Sequence, residues 1–198
     1  MPVFLHAACG NTPKERTTRL FQGSDWREVR MAPSPAHKPD IVGTLLDMRS
    51  VADASFDAAF TAHSLERLFP HEVPKALANL LRALTPSGYL VLFCTDLQAV
   101  CKLVAEDKLL ETAYEAPAGP IAPLDILYGY RPALAAGKSE YACRCGFTSR
   151  ALLGTLNQAG FASVWAARNP ETFSIAAIAS KSRQSEEAMR RLAEQHFR

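Results

Sequence analysis

SFDAAFTAHSLERLFPHEVPKALANLLRALTPSGYLVLF, residues 55–93, reads as two short apolar runs with a helical pattern between them. Phe56–Ala62 and Tyr89–Cys94 have the near-continuous apolar character of strands buried on both faces. Between them Val73, Leu77, Leu80, Leu81 and Leu84 recur on one helical face, and Pro86-Ser87-Gly88 is a stop signal. A strand, a helix and a second strand in that order form a right-handed crossover between parallel neighbours. The stretch therefore predicts a parallel sheet covered by helices.

The flanking sequence repeats the alternation. Val3–Ala8, Glu28–Met31 and Ile41–Gly43 read as three further strands on the N-terminal side. On the C-terminal side DLQAVCKLVAEDKLLETAY and TSRALLGTLNQAG carry the helical period, the second opening at the cap Thr148 and stopping at Gly160. Phe161–Ala167 and Phe173–Ala179 close the chain as a hairpin turned at Asn169-Pro170, and residues 185–198 form a charged amphipathic helix. The fold class is α/β: a doubly wound, mostly parallel sheet with a C-terminal antiparallel strand, in one domain over residues 1–198. Such sheets bind ligands beyond the carboxyl ends of their strands. That rule gathers Ala8–Asn11, Ala32–Pro35, Thr44–Met48, Ala62–Glu66 and Thr95-Asp96 around one crevice. Residues 114–146 are rich in Pro, Gly and Tyr and read as a lid or substrate loop.

Composition narrows the function classes. Of 198 residues, 48% are hydrophobic and 21% charged, and the net charge is only +2. The scattered basic residues argue against a nucleic-acid surface, which needs clustered Lys and Arg. No apolar run is long enough to span a membrane, and the first residues carry no basic segment of the kind that opens a signal peptide. A cytoplasmic protein is expected. Its five cysteines are expected to be reduced, and Cys143-Arg144-Cys145 is spaced too closely for a usual zinc site, so no metal is expected. The amphipathic tail is a candidate contact surface for a homodimer.

Four blocks, LHAACGN, DIVGTLLDM, SFDAAFTAHSLERL and LLRALTPSGYLVLF, stand in an order and spacing that resembles the class I S-adenosylmethionine-dependent methyltransferases. The likeness runs over most of residues 3–180, is strongest from Asp40 to Phe93, and is nearest to small bacterial members whose chains begin at the first strand. It implies a Rossmann-like methyltransferase fold, S-adenosylmethionine as cofactor and a small-molecule methyl acceptor. Ala8, Cys9 and Gly10 would underlie the methionine part of the cofactor, Asp47 would bond the adenine amino group, and Met48 would pack on the ring. His63 and Leu65 would face cofactor and acceptor, with His63 as the candidate general base. Asp96, Tyr128 and Arg131 are candidates for acceptor contact, and Asp96 is equally suited to capping the helix that follows it. Glu66 reads as a first-turn carboxylate favoured by the helix dipole.

The family usually places an acid at the end of the second strand, where it holds the ribose hydroxyls. Ala32 stands there in this chain, and Arg67 replaces a frequent histidine. These departures leave a second reading open, a degenerate, non-catalytic methyltransferase-like subunit. A nicotinamide site, with Arg30 twenty residues after Gly10, lacks the glycine fingerprint such sites carry.

Overall fold

The computed structural model describes residues 1–197. In chain order the elements are β1 (Val3–Ala7), α1 (Arg19–Gln22), β2 (Arg27–Ala32), β3 (Ile41–Val42), β4 (Phe56–Ala62), α2 (Val73–Ala83) and β5 (Leu84–Thr95). They continue with α3 (Leu97–Ala105), β6 (Tyr114–Ala116), β7 (Gly119–Ile121), α4 (Pro123–Tyr128) and α5 (Arg131–Ala135). The chain closes with α6 (Ser149–Gln158), β8 (Ser163–Asn169), β9 (Ser174–Ser180) and α7 (Glu186–Phe197). Seven strands form one sheet in the order β3-β2-β1-β4-β5-β9-β8. The first five run parallel, and β9 lies antiparallel between β5 and β8. The expected α/β sheet with a C-terminal antiparallel strand is what the chain forms.

The central crossover works as its pattern demands. Helix α2 buries Val73, Ala76, Leu77 and Leu80 against one face of the sheet. It stops at Ala83, earlier than Pro86-Ser87-Gly88 suggested, because the amides of Ala54 and Ser55 take the carbonyls of Arg82 and Ala83. Leu84 then pairs with Phe56, and the ladder slips before Tyr89 pairs with Ala58. Gly88 makes this bulge feasible: a Cβ there would stand 3.1 Å from the Phe56 carbonyl oxygen. Helix α3 is also shorter than its pattern, ending at Ala105 where Asp107 turns left-handed (φ 60°) and the Lys108 amide reaches back to the Leu103 carbonyl. Helix α6 has the expected limits, with the Thr148 hydroxyl accepting from the Ala151 amide and Gly160 left-handed.

The opposite face departs most from simple alternation, since only the four residues of α1 interrupt the first three strands as α-helix. The C-terminal helix covers that face instead. Met189 and Ala193 of α7 join Phe4, Phe21, Phe60, Val91 and Ile178 in a buried cluster. His196 is 2% exposed and bridges Thr18 Oγ1 (2.6 Å) and the Tyr89 hydroxyl (3.2 Å). The apolar side of the tail thus packs on its own sheet and is not a free contact surface. Residues 114–146, expected as a loop, hold the β6–β7 hairpin, α4 and α5. No helix of the described residues is long and apolar enough to cross a membrane.

Candidate functional site

Two cavities open side by side at the carboxyl ends of β1, β4 and β5. The first, of about 830 Å³, is a cleft over the loop that follows β1. Ala8, Cys9 and Gly10 form its floor, Thr44, Leu45 and Leu46 one wall, and Ala62 and Ser64 another. Ala8 and Gly10 both have left-handed backbone (φ 56° and 52°), so the chain turns sharply off the strand end. Gly10 is open above its Cα, with no atom within 4 Å of where a Cβ would stand. Three guanidinium groups, Arg16, Arg67 and Arg144, line the cleft against the single carboxylate Glu140. His37 lines it too, its Nδ1 2.7 Å from Asn11 Oδ1. Arg30 lies behind the loop, donating from Nη2 to the Gly10 carbonyl at 2.8 Å.

The second cavity, of about 230 Å³, lies between the end of β5 and the 114–146 segment. Its walls are aromatic: Tyr114 stacks on Phe173 (6.0 Å between centroids), and Tyr130 and Tyr141 face them. Arg67 and Tyr141 line both cavities, with the guanidinium 4.9 Å over the ring centre. Consecutive residues divide the space, since Ala62 and Ser64 belong to the cleft and His63 to the second cavity. His63 has φ 49°, which turns its half-exposed ring out of the β4 line.

Glu66 forms part of the second cavity and is 2% exposed. Oε1 accepts from the Thr95 amide (2.7 Å) and from His63 Nδ1 (3.2 Å), whereas Oε2 is buried with no hydrogen-bond partner. Burial alone would raise its pKa, but the His63 ring and the Thr95 amide favour the charged form, and the net direction is downward. The Glu66 backbone carbonyl accepts from the amides of Arg144 and Cys145, which fastens this turn to the segment before α6. Burial, and then the Glu66 charge, push up the thiols of Cys94, Cys143 and Cys145, the last to about 11, so all three are neutral.

Of the residues singled out in the sequence, Ala8, Cys9 and Gly10 lie together in the cleft, and His63 lies in the adjacent cavity. Asp47 and Met48 do not reach the cleft. Thr44 and Asp47 exchange backbone hydrogen bonds in a tight turn, so the cleft wall ends at Leu46. Asp47 faces a separate surface hollow and binds Arg49, which holds its carboxyl at about 2, while Met48 is buried in the core. Leu65 is likewise core.

Asp96 is fully buried, accepting from the Gln98 and Ala99 amides as the α3 cap and from Arg168 Nε at 2.5 Å. It is therefore a structural carboxylate and lines neither cavity. Tyr128 points to solvent, and Arg131 forms a bidentate pair with Asp125 instead of lining the cavity. Glu66 was read only as a helix-entry acid. The signal that could have marked it is its position as the first acid after a buried strand, three residues beyond His63. Ala32 is fully buried, so no carboxylate stands at the end of β2. Among the described residues no group of three or more His, Cys, Asp or Glu could hold a metal.

A family model described as a methyltransferase domain matches residues 25–92. Solved structures share the whole fold at low identity. A SAM-dependent methyltransferase from Methanosarcina mazei superposes with TM-score 0.59 at 15% identity, covering 92% of this chain and 93% of that one. One from Thermotoga maritima gives 0.57 at 14%, covering 92% and 83%. The 1,6-didemethyltoxoflavin-N1-methyltransferase of Burkholderia thailandensis, solved with 1,6-didemethyltoxoflavin and S-adenosylhomocysteine bound, gives 0.57 at 15%, covering 92% and 72%. Among curated proteins no sequence matches this chain. The resemblance to class I S-adenosylmethionine-dependent methyltransferases is borne out by the domain match and the fold.

Proposed function

We propose that this chain, a methyltransferase domain on the class I fold, binds S-adenosylmethionine in the cleft and methylates a small molecule held in the second cavity. The observation that carries the proposal is the junction of the two spaces across Arg67 and Tyr141 at the strand ends. The bound cofactor supplies an activated methyl group, so the protein's task is alignment and exclusion of water. Residues present in the cleft suit that cofactor. The left-handed loop at Ala8 and Gly10 leaves an open floor, and Arg16 and Arg144 suit a carboxylate. His37 and Asn11 offer polar groups where the ribose would otherwise meet an acid.

The buried methyl of Ala32 favours one other reading, a non-catalytic subunit without useful cofactor affinity. Thermal-shift and calorimetric titration with S-adenosylmethionine and S-adenosylhomocysteine separate the two. Binding raises the melting temperature by mass action. Ala62→Leu, which adds bulk at an exposed position of the cleft wall, abolishes the shift and leaves the free protein folded. Asp47→Ala, on the far side of the turn, is the control and leaves the shift in place. No shift with either ligand at millimolar concentration rejects the enzyme reading.

A further inference from the structure

The junction of the two cavities carries a cation with no counter-ion. Arg67 lines both spaces, and its guanidinium lies 4.9 Å over the centre of the Tyr141 ring. The ring steadies the group without matching its charge. The Arg67 carbonyl accepts from Arg144 Nη1 at 2.6 Å, which fastens the turn that presents the side chain. Arg67 is half-buried, and among the described residues its guanidinium has no hydrogen bond or ion pair. None of its nitrogens is a buried orphan, so its donors open on the cavities. The acids of the second cavity do not meet this charge. Glu66 is turned inward, with Oε1 on the Thr95 amide and the His63 ring and Oε2 buried, and Asp125 is held by Arg131 in two hydrogen bonds.

We infer that the methyl acceptor is a small aromatic carboxylate, its ring among Tyr114, Tyr130, Tyr141 and Phe173 and its carboxylate on the Arg67 guanidinium. The inference rests on the methyltransferase reading and names the substrate class of the same site. A planar guanidinium presents a fork of donors that matches the two oxygens of a carboxylate. The cavity holds about 230 Å³, less than the roughly 300 Å³ of the smallest usual ligand pockets, so it suits one ring. Charge balance points the same way. Arg16, Arg67 and Arg144 outnumber Glu140 in the cleft, and S-adenosylmethionine adds a sulfonium and an ammonium against one carboxylate. Arg16 and Arg144 suffice for that carboxylate, which leaves Arg67 for the acceptor. An anionic acceptor offsets the accumulated positive charge, whereas a cationic one adds to it. Arg67 is thus a specificity residue, selecting the acceptor by charge.

Benzoate is the probe, with benzamide as its neutral analogue and benzylamine reversing the charge. Affinities are measured by calorimetry on the full chain, in S-adenosylhomocysteine and without it. Benzoate binds, and both the change to benzamide and Arg67→Gln weaken binding by about tenfold or more, because the charge-assisted pair is lost. Arg67→Lys keeps the charge without the fork and recovers part of the affinity. Arg67→Gln costs benzoate more than it costs S-adenosylhomocysteine. Ile126→Trp fills the cavity from α4 with Arg67 in place, and it removes benzoate binding even where Arg67→Gln folds poorly. Benzamide or benzylamine binding as tightly as benzoate, or unchanged binding in Ile126→Trp, overturns the inference. So does a larger loss for S-adenosylhomocysteine in Arg67→Gln, which gives Arg67 to the cofactor. The S-adenosylhomocysteine shift is read separately. Its absence in wild type rejects the cofactor reading, and its presence without benzoate binding rejects only the acceptor class.

Discussion

The cleft over β1 is walled by small side chains and guanidinium groups, while the cavity beside it closes on a carboxylate between aromatic rings. In the cleft the backbone does most of the shaping. Ala8 and Gly10 turn the loop, and where the family would place an acid there is the buried methyl of Ala32. In the second cavity a side chain is held in place by partners from three parts of the chain. Glu66 leans on His63, on the Thr95 amide at the end of β5, and through its carbonyl on Arg144 and Cys145. The two departures from the family pattern stand apart, Ala32 buried at the end of β2 and Arg67 at the junction of the two cavities. The contrast teaches that backbone shapes the cleft, whereas a web of hydrogen bonds holds one carboxylate of the second cavity in place.

The largest effect expected from breaking that contrast is at Gly129. Its φ is 108°, and a Cβ would stand 2.3 Å from the Tyr141 carbonyl oxygen. Overpacking and left-handed strain together make Gly129→Ala cost about 4 kcal/mol locally. Limited proteolysis should show cutting within residues 114–146, and the S-adenosylhomocysteine shift should shrink as well, because Glu140, Tyr141 and Arg144 of the same segment line the cleft. A shift unchanged by the substitution would mean that the cleft does not depend on this segment.

Acid should instead remove both sites together, through the face of the sheet beneath them. Burial lowers the His196 pKa from 6.5 to about 4. Between those values the unfolded chain binds the proton and the folded chain does not, so stability is greatest above pH 6.5. It is lost as pH falls toward 4 and then levels off, a contribution of about 3 kcal/mol. Calorimetric melting from pH 8 to 4 should show this fall, and His196→Gln should flatten it. A profile unchanged by the substitution would remove His196 as its cause.

Ala32→Asp is the smaller and sharper test of the ribose end. Returning the acid should tighten S-adenosylmethionine about tenfold, close to 1.4 kcal/mol. The same carboxylate enters a fully buried position, so the melting temperature of the free protein falls as the ligand-induced shift grows. No gain in affinity would mean that His37 and Asn11 already serve that end.

Much of the frame could be read from short-range pattern. The strand from Val3, the crossover from Phe56 to Phe93, the cap at Thr148 and the final hairpin were all visible, because apolar period and stop residues act over a few positions. The cleft floor at Ala8–Gly10 followed from the same source, since a loop after a parallel strand has one place to go. Asp47 and Arg131 were misplaced for a common reason. Each is a charged side chain that finds a nearer partner, Arg49 or Asp125, than the ligand site. No spacing rule encodes that competition. Asp96, buried as cap and ion pair, shows the same limit.

Sequence by itself determined the alternation of strands and helices and the end of the sheet at which the chain could bind a ligand. Tertiary structure alone decided that α7 covers the second face, that the wall of the cleft ends at Leu46, and that Glu66 is a buried carboxylate with one oxygen unpaired. Period and capping depend on neighbours within a turn or two. The burial of Glu66 depends on Thr95 and Arg144, which lie far along the chain and meet it only when the sheet closes.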